Sequence, residues 1–549
     1  MSDGQMRDGR KTLHITRRTV LRGGAGLAAG LSASRLGLGA AFAASEQVLK
    51  VAHPVFDNDW SPMRGGGAHQ RWTSLWWASP MYYDAAGTIH PYVFTSWTQA
   101  EGGKSWSFTI ADNAAFSDGS PITAADVKGS WEMAAMPGTR NQRVAQVLSG
   151  VEGYAAVTSG AAKELTGVVA KNAKTVVVTL SQPDPIFFMR LANHIVPIVK
   201  ASEARGPDGS ENPEWWSPKG KGVFSGPFRL TAIDIDKGLL TFEPNAKFFG
   251  PKPALTRIDI RTVEDAVTAT ALIRKGEFNA HTELVTSTLV KDLGSDFAGG
   301  PQIPTSQHFW FHIKRKPMED AKVRQALIMA IDREGLFKAS YPDGPHKKAD
   351  QILNAVPGVD EALKPYAFDP DAAKKLLAES TYKGPERLPK LRMVGISSPA
   401  IQAAAQFIAE QWRQNLGITA VEMKPQQDSY TGPDQATVQI FRDDVGTRVP
   451  DGVSYLMGAI HSSSSNAKNK MGGYKNAEVD KRLDAASAKA VDDPERQSLA
   501  KGAQRLFMDD YAFIPWYSQA MSRWAVASVS GMEKNLDWQV PEPWKISIG

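Results

Sequence analysis

The chain has 549 residues, 42% of them hydrophobic, with a formal charge of +5 and no cysteine. That length allows about three or four domains, and the missing cysteine excludes disulfides, a thiol nucleophile and thiolate metal sites. The basic excess is confined to residues 1–43, where Arg7, Arg10, Lys11, Arg17, Arg18, Arg22 and Arg35 outnumber Asp3 and Asp8. The rest of the chain is balanced, so no basic footprint for nucleic acid is expected.

Taken in chain order, the first segment reads as an export signal. "TRRTVLR" (16–22) sets paired arginines before a Gly/Ala-rich run interrupted by Arg35. That run is too polar for a membrane span. Ala41-Phe42-Ala43 has the small-x-small pattern of a cleavage site, placing the cut before Ala44. The pattern resembles a twin-arginine signal. With no cysteine after the cut there is no lipid anchor, and the mature protein is expected to be free, soluble and periplasmic.

Next comes "AFSDGSPITAADVKGSWEMA" (115–134). Asp118-Gly119 predicts a tight turn. Thr123 with Asp126 three residues on predicts a capping box, and Val127, Trp131 and Ala134 share a helical face. "TVVVTL" (175–180) and "LLTFEP" (239–244) read as strands. The Pro/Gly-rich segment 204–222 holds Trp215 and Trp216 and marks a surface cover or a crossing between domains. Asp320, Asp369-Pro370 and Asp493-Pro494 each open a helix. "LPKLRMVGIS" reads as a strand, Ser398-Pro399 opens a helix with Ile401, Ala405, Ile408, Trp412 and Leu416 inward, Gly417 stops it, and "ITAVEMK" is the next strand. This β-α-β order calls for a parallel pair. "ATVQIF" (436–441) is a further strand, expected to end at Arg442, Asp443 and Asp444; ligands of open α/β sheets sit beyond such strand ends. "HSSSSNAKNKMGG" (461–473) reads as a polar loop. The class is α/β or mixed α+β with several lobes.

Enzyme signatures are missing: the sequence has no phosphate loop, no G-x-S-x-G elbow and no H-E-x-x-H. His308 and His312 in "QHFWFHIK" are predicted on a strand, about 13 Å apart and too far for one metal. Fifteen tryptophans are present, clustered in "RWTSLWWASPMYYD" (71–84), "FWF" (309–311) and "PWY" (515–517). Most suit a core; some suit a ligand pocket.

The 115–134 stretch resembles the signature of family 5 bacterial extracellular solute-binding proteins. So do "GPFRL" (226–230), "NAKFFGPKPALTRIDIRTVEDAVTATALIRKGEFNA" (245–280), "KPMEDAKVRQALIMAID" (316–332), "DPDAAKKLLAES" and "YKNAEVDKRLDAA", in family order. The resemblance implies a two-lobed periplasmic-binding-protein fold. Lobe I would comprise residues 46–88, 222–305 and 515–549, with an extra small subdomain at 89–221; lobe II would cover 306–514. A small solute (peptide-like, opine-like or a sugar conjugate) would be enclosed by hinge closure and passed to an ABC permease with its ATPase. The protein would be a monomer with no cofactor, no metal and no catalysis. A metal-chelate or haem carrier of the same fold, and an exported hydrolase on it, remain alternatives.

The resemblance also suggests site residues. In peptide-binding relatives a W-x-x-D strand supplies an aspartate for the ligand's amino group; "FRDD" puts Phe441 at the Trp and Asp444 at the aspartate. The following "VGTRVPD" makes a longer loop carrying Arg448. Arg442 and Arg448 would meet a carboxylate or phosphate, or else pair with Asp443 at the surface. The crossing segment "QHFWFH" offers His308 and Trp310 on one face, with Phe309 and Phe311 on the other. Trp516 and Tyr517 lie near the last crossing, and Trp60 of "NDWSP" is expected at the cleft.

Overall fold

The computed structural model describes residues 47–549 apart from 55–59, 65–71, 140–141, 207–209, 282–301, 343–345, 355, 357, 521–524 and 534–539. The expected signal and its cleavage site lie outside the described residues. No described helix is long and apolar enough to cross a membrane.

Alternating apolar residues build three principal sheets, in a mixed α/β arrangement. One has five strands in the order Ala280–His281, Val48–His53, Arg257–Thr262, Leu239–Pro244 and Phe228–Asp234. A four-stranded sheet runs Phe94–Ala100, Ser105–Ile110, Thr175–Thr179 and Val168–Asn172. The third has six strands: Lys347–Lys348, Phe513–Ala520, Gln302–Phe311, Ile440–Gly446, Leu391–Ile396 and Val421–Pro425.

The 115–134 unit forms as its sequence dictates. Gly119 adopts φ +87° in the turn, a conformation that costs other residues a Cβ clash. The helix Ala124–Ala135 opens on a full capping box: Asp126 N donates to Thr123 Oγ1 (3.4 Å) and Thr123 N donates to Asp126 Oδ2 (3.0 Å). Val127, Trp131 and Ala134 are buried. The Thr123→Ala variant is expected to lose about 1 kcal/mol of stability, read as a lowered urea midpoint.

The β-α-β unit is also present: Leu391–Ile396 pairs in parallel with Val421–Pro425 across the helix Pro399–Leu416, which ends at Gly417 (φ +75°). Ser398 takes the N-cap backbone position without a side-chain cap. Two expectations need correction. The strand expected at 436–441 spans Ile440–Gly446 and runs through Arg442, Asp443 and Asp444. Seven residues of antiparallel pairing with the strand Gln302–Phe311 satisfy the backbone there, and that outweighs the charged side chains. The segment 461–473 is not only loop: Asn466–Lys470 forms a π-helical turn, with Ala467 buried and Asn466 Nδ2 donating to Ala459 O at 2.7 Å.

Buried apolar residues gather in two large cores. The first draws on residues from Leu49 to Ala280 and from Ala525 to Ile546; the second draws on residues from Phe309 to Tyr517. Val449 is the exception in sequence. It belongs to the first core, while Val445 and Val453 on either side belong to the second.

Candidate ligand-binding face

The six-stranded sheet positions the site. Its central strand, Gln302–Phe311, lies antiparallel to Ile440–Gly446 on one side and to Phe513–Ala520 on the other. Gln307 pairs with Asp444 and with Tyr517, so these three form a row across the sheet. Alternate residues of a strand share a face, which brings Arg442 to Asp444's side and Phe309 to Gln307's. Arg442 Nη2 donates to Gln307 Oε1 at 2.5 Å. Arg442 Nε is buried with no hydrogen-bond partner.

The ladder to Phe513–Ala520 slips between Gln307 and His308, leaving Trp516 as an extra residue. Such a bulge turns a side chain from its regular alternation. Trp516 packs against Phe309 (5.4 Å between ring centroids) and Tyr517 (4.7 Å). Tyr341 O–H donates to Tyr517 Oη at 3.0 Å, and His346 stacks on the Tyr517 ring at 5.0 Å. His346 Nδ1 accepts from Ala520 N at 3.2 Å. Burial pushes its pKa down to about 4, so the ring is neutral at physiological pH.

On this face Phe309, Trp516 and Tyr517 are buried and Asp444 is exposed; the opposite face is core. His308 and Trp310 are both fully buried, 5.3 Å apart by ring centroid, and packed on Phe513. Desolvation lowers the His308 pKa to about 3. These two expected site residues therefore lie behind the row formed by Asp444, Gln307 and Tyr517. Trp60 is 1% exposed within the first core, against His53 and Trp76. Asp443 also turns from the row and pairs with Lys470 at 3.1 Å.

Asp444 is exposed and makes no ion pair among the described residues. The surrounding protein nonetheless desolvates its carboxyl and raises its pKa; repulsion from Asp443 adds to this and Arg442 opposes it. Arg448 stands on the segment that carries Val449 into the first core, where Asn193 Nδ2 donates to its carbonyl at 3.4 Å. Desolvation, then the charge of Arg143, lowers the Arg448 pKa to about 9.

Of the expected site residues, the sheet thus brings Asp444, Arg442, Trp516 and Tyr517 together, but Trp516 and Tyr517 are buried in the second core, at 1% and 4% exposed, so that only Asp444 and Arg442 of the four reach the surface. Sequence reasoning missed Gln307, Tyr341 and His346. Alternation along "QHFWFH" does separate Gln307 from His308, but only the cross-strand pairing sets Gln307 beside Asp444.

The model of bacterial extracellular solute-binding proteins, family 5 middle, matches residues 88–467. The chain belongs to that family. Among family 5 relatives, the oligopeptide-binding protein OppA of Bacillus subtilis is 26% identical over 491 residues, covering 85% of each chain. The periplasmic murein peptide-binding protein MppA of Escherichia coli is 26% identical over 343 residues, which cover 60% of this chain and only 62% of that protein. The solved unliganded open form of MppA aligns with TM-score 0.76 at 22% identity, covering 92% of this chain and 98% of that one. The fold is thus the family 5 periplasmic-binding-protein fold.

Proposed function

We propose that the protein is the periplasmic solute-binding subunit of an ABC importer for a peptide-like solute, and that Asp444 receives the solute's ammonium group. One observation carries this reading: Asp444 is an exposed carboxylate with no cationic partner among the described residues, on a polar sheet face that also bears Arg442, Gln307 and Tyr517. An ammonium would supply the missing countercharge. Arg442, its Nε unpartnered, would donate to a neighbouring carbonyl or carboxylate oxygen of the solute. Trp516 and Tyr517, both buried, would hold Gln307 and Phe309 in place. The relatives named for murein peptides and oligopeptides support a peptide-like solute.

In this reading the two cores are two lobes that close on the solute by hinge motion. Lobe I would take the first core, with the subdomain at 89–221, and lobe II the second core, so that the expected bounds at 305/306 and 514/515 shift to leave the strands Gln302–Phe311 and Phe513–Ala520 in lobe II. Arg448, on the segment between the two cores, would be brought towards the solute by closure. The twin-arginine segment exports the chain, which works as a soluble monomer, does no covalent chemistry and delivers its solute to a permease coupled to an ATPase.

The test uses a random tripeptide library with free amino termini and its N-acetylated counterpart. Retained peptides are counted by mass spectrometry after gel filtration of the complex. Retention of the free library, with the acetylated one weakened at least about 30-fold, is expected from loss of a desolvated charge pair. Equal retention of both libraries, or of neither, would overturn the reading.

A further inference from the structure

Two aspartates stand side by side on the binding strand, and one of them, Asp443, is held by a lysine. Lys470 Nζ lies 3.1 Å from Asp443 Oδ2 and 3.4 Å from the centroid of the Tyr430 ring, with Phe441 at 6.0 Å. Tyr430 is tied to the same strand, because its hydroxyl donates to the carbonyl of Arg442. The second Asp443 oxygen, Oδ1, accepts from Asp444 N at 3.0 Å. Both Asp443 oxygens are thus engaged.

Lys470 owes its position to the π-helical turn Asn466–Lys470. Asn466 pins the start of that turn to Ala459 O, and Gly473 N closes it on Ala467 O at 2.9 Å. A π-turn is an unstable way to wind a helix and is frequent at functional positions. Here it brings a cation to a carboxylate 27 residues earlier in the chain.

We infer that Lys470 is a positioning residue for solute binding: it fixes the Asp443 carboxylate and offsets part of its charge, so that Asp444 acts as the ionised acceptor for the solute's ammonium. This rests on the reading of Asp444 given above. The electrostatics follow from the neighbours. Asp444 is faced by Arg442 and Asp443 on its own strand, by Gln307 on the central strand, by Tyr430 of the helix Gln426–Thr431 and by Tyr455 of the helix Gly452–Ala459. Both tyrosines have raised pKa values and are neutral. Behind Asp443, Arg315 lies 5.7 Å from the Phe441 ring, and His312 is neutral with a pKa lowered to about 4. Among the described residues, Lys470 is the only cation in ion-pair contact with Asp443. Without it, the Asp443 charge acts on Asp444 uncompensated, protonation of Asp444 becomes easier, and ammonium binding fails at a higher pH.

The experiment follows retention of the free-amine tripeptide library from pH 3.5 to 8 in the wild type and in Lys470→Met, Lys470→Arg, Asp443→Asn and the double variant that joins Asp443→Asn to Lys470→Met. In the wild type, retention falls as pH drops through the Asp444 titration. In Lys470→Met that acid limb should move up by about one pH unit, the order of effect of one neighbouring charge left without its partner in a half-wet site. Lys470→Arg should restore the wild-type limb. In the Asp443→Asn background, Lys470→Met should move it no further. A merely structural lysine would weaken retention equally at every pH and in both backgrounds. An unmoved limb in Lys470→Met, or the same shift in the Asp443→Asn background, overturns the inference. A wild type with no acid limb overturns the Asp444 reading beneath it.

Discussion

Replacing Asp451 by alanine is expected to destabilise the second core by about 3–5 kcal/mol, the cost of leaving one member of a buried ion pair without its partner. Asp451 and Arg496 are 2% and 1% exposed. The pair is bidentate: Arg496 Nε donates to Asp451 Oδ1 at 3.1 Å and Nη2 donates to Oδ2 at 2.7 Å. Arg496 Nη1 donates to the carbonyls of Ala486 and Lys489, at 2.8 and 2.9 Å. Asp451 Oδ2 also accepts from Ser454 N at 2.7 Å as the cap of the helix Gly452–Ala459. The alanine variant therefore loses a cap and strands a guanidinium that water cannot reach. Asp451→Asn keeps an acceptor for the cap and should fall between wild type and Asp451→Ala. The measurement is the urea midpoint by tryptophan fluorescence, with Arg496→Met and the double variant completing a cycle. A coupling energy below about 0.5 kcal/mol would show that the two groups act independently. Asp451 also ends the segment that carries Val449 to the first core, so the proposed closure would depend on this pair.

Much of this architecture is legible in the sequence, and the exceptions share one cause. The capping box at Thr123, the helix from Pro399 to Leu416 and the parallel strands beside it are read from neighbours a few residues apart. Local chemistry decides them, and local chemistry is what a sequence displays. The strand Ile440–Gly446 was not legible at its far end, because "RDDVG" has no strand-like alternation of apolar residues. It is a strand because residues 305–311 lie beside it and use its backbone groups. The way the two faces of "QHFWFH" pack was hidden for the same reason. His308 and Trp310 are as plausible a lining as any aromatic pair until the contacts with Phe513 bury them. The bulge at Trp516 is a property of two strands together. Lys470 stands in a run of Ser, Asn and Lys without periodicity, and nothing there marks it as the partner of Asp443.

Asp444→Ala is expected to lower affinity for the solute by about 2–5 kcal/mol, roughly 30- to several-thousand-fold. Closing the lobes would strip water from the ammonium, and without its acceptor that charge would stay buried and uncompensated. Asp443→Ala should cost far less, since Asp443 is paired with Lys470. Stability should move the other way. The Asp444 carboxyl has a raised pKa in the folded chain. A carboxylate whose folded pKa lies above its unfolded value penalises the fold once pH exceeds both, and the penalty fades as pH falls and the group takes up its proton. Asp444→Asn, which cannot ionise, should therefore unfold no earlier than wild type at pH 7 without solute, and the two should converge towards pH 3. Solute added at saturation should reverse that order, because only the wild type gains stability from binding. Calorimetric titration and thermal scans with and without a retained tripeptide measure both halves. A variant that binds as well as wild type would remove Asp444 from the site. One that loses binding and also unfolds early would recast it as a structural residue, because a carboxylate kept for recognition is tolerated by the fold and not required by it.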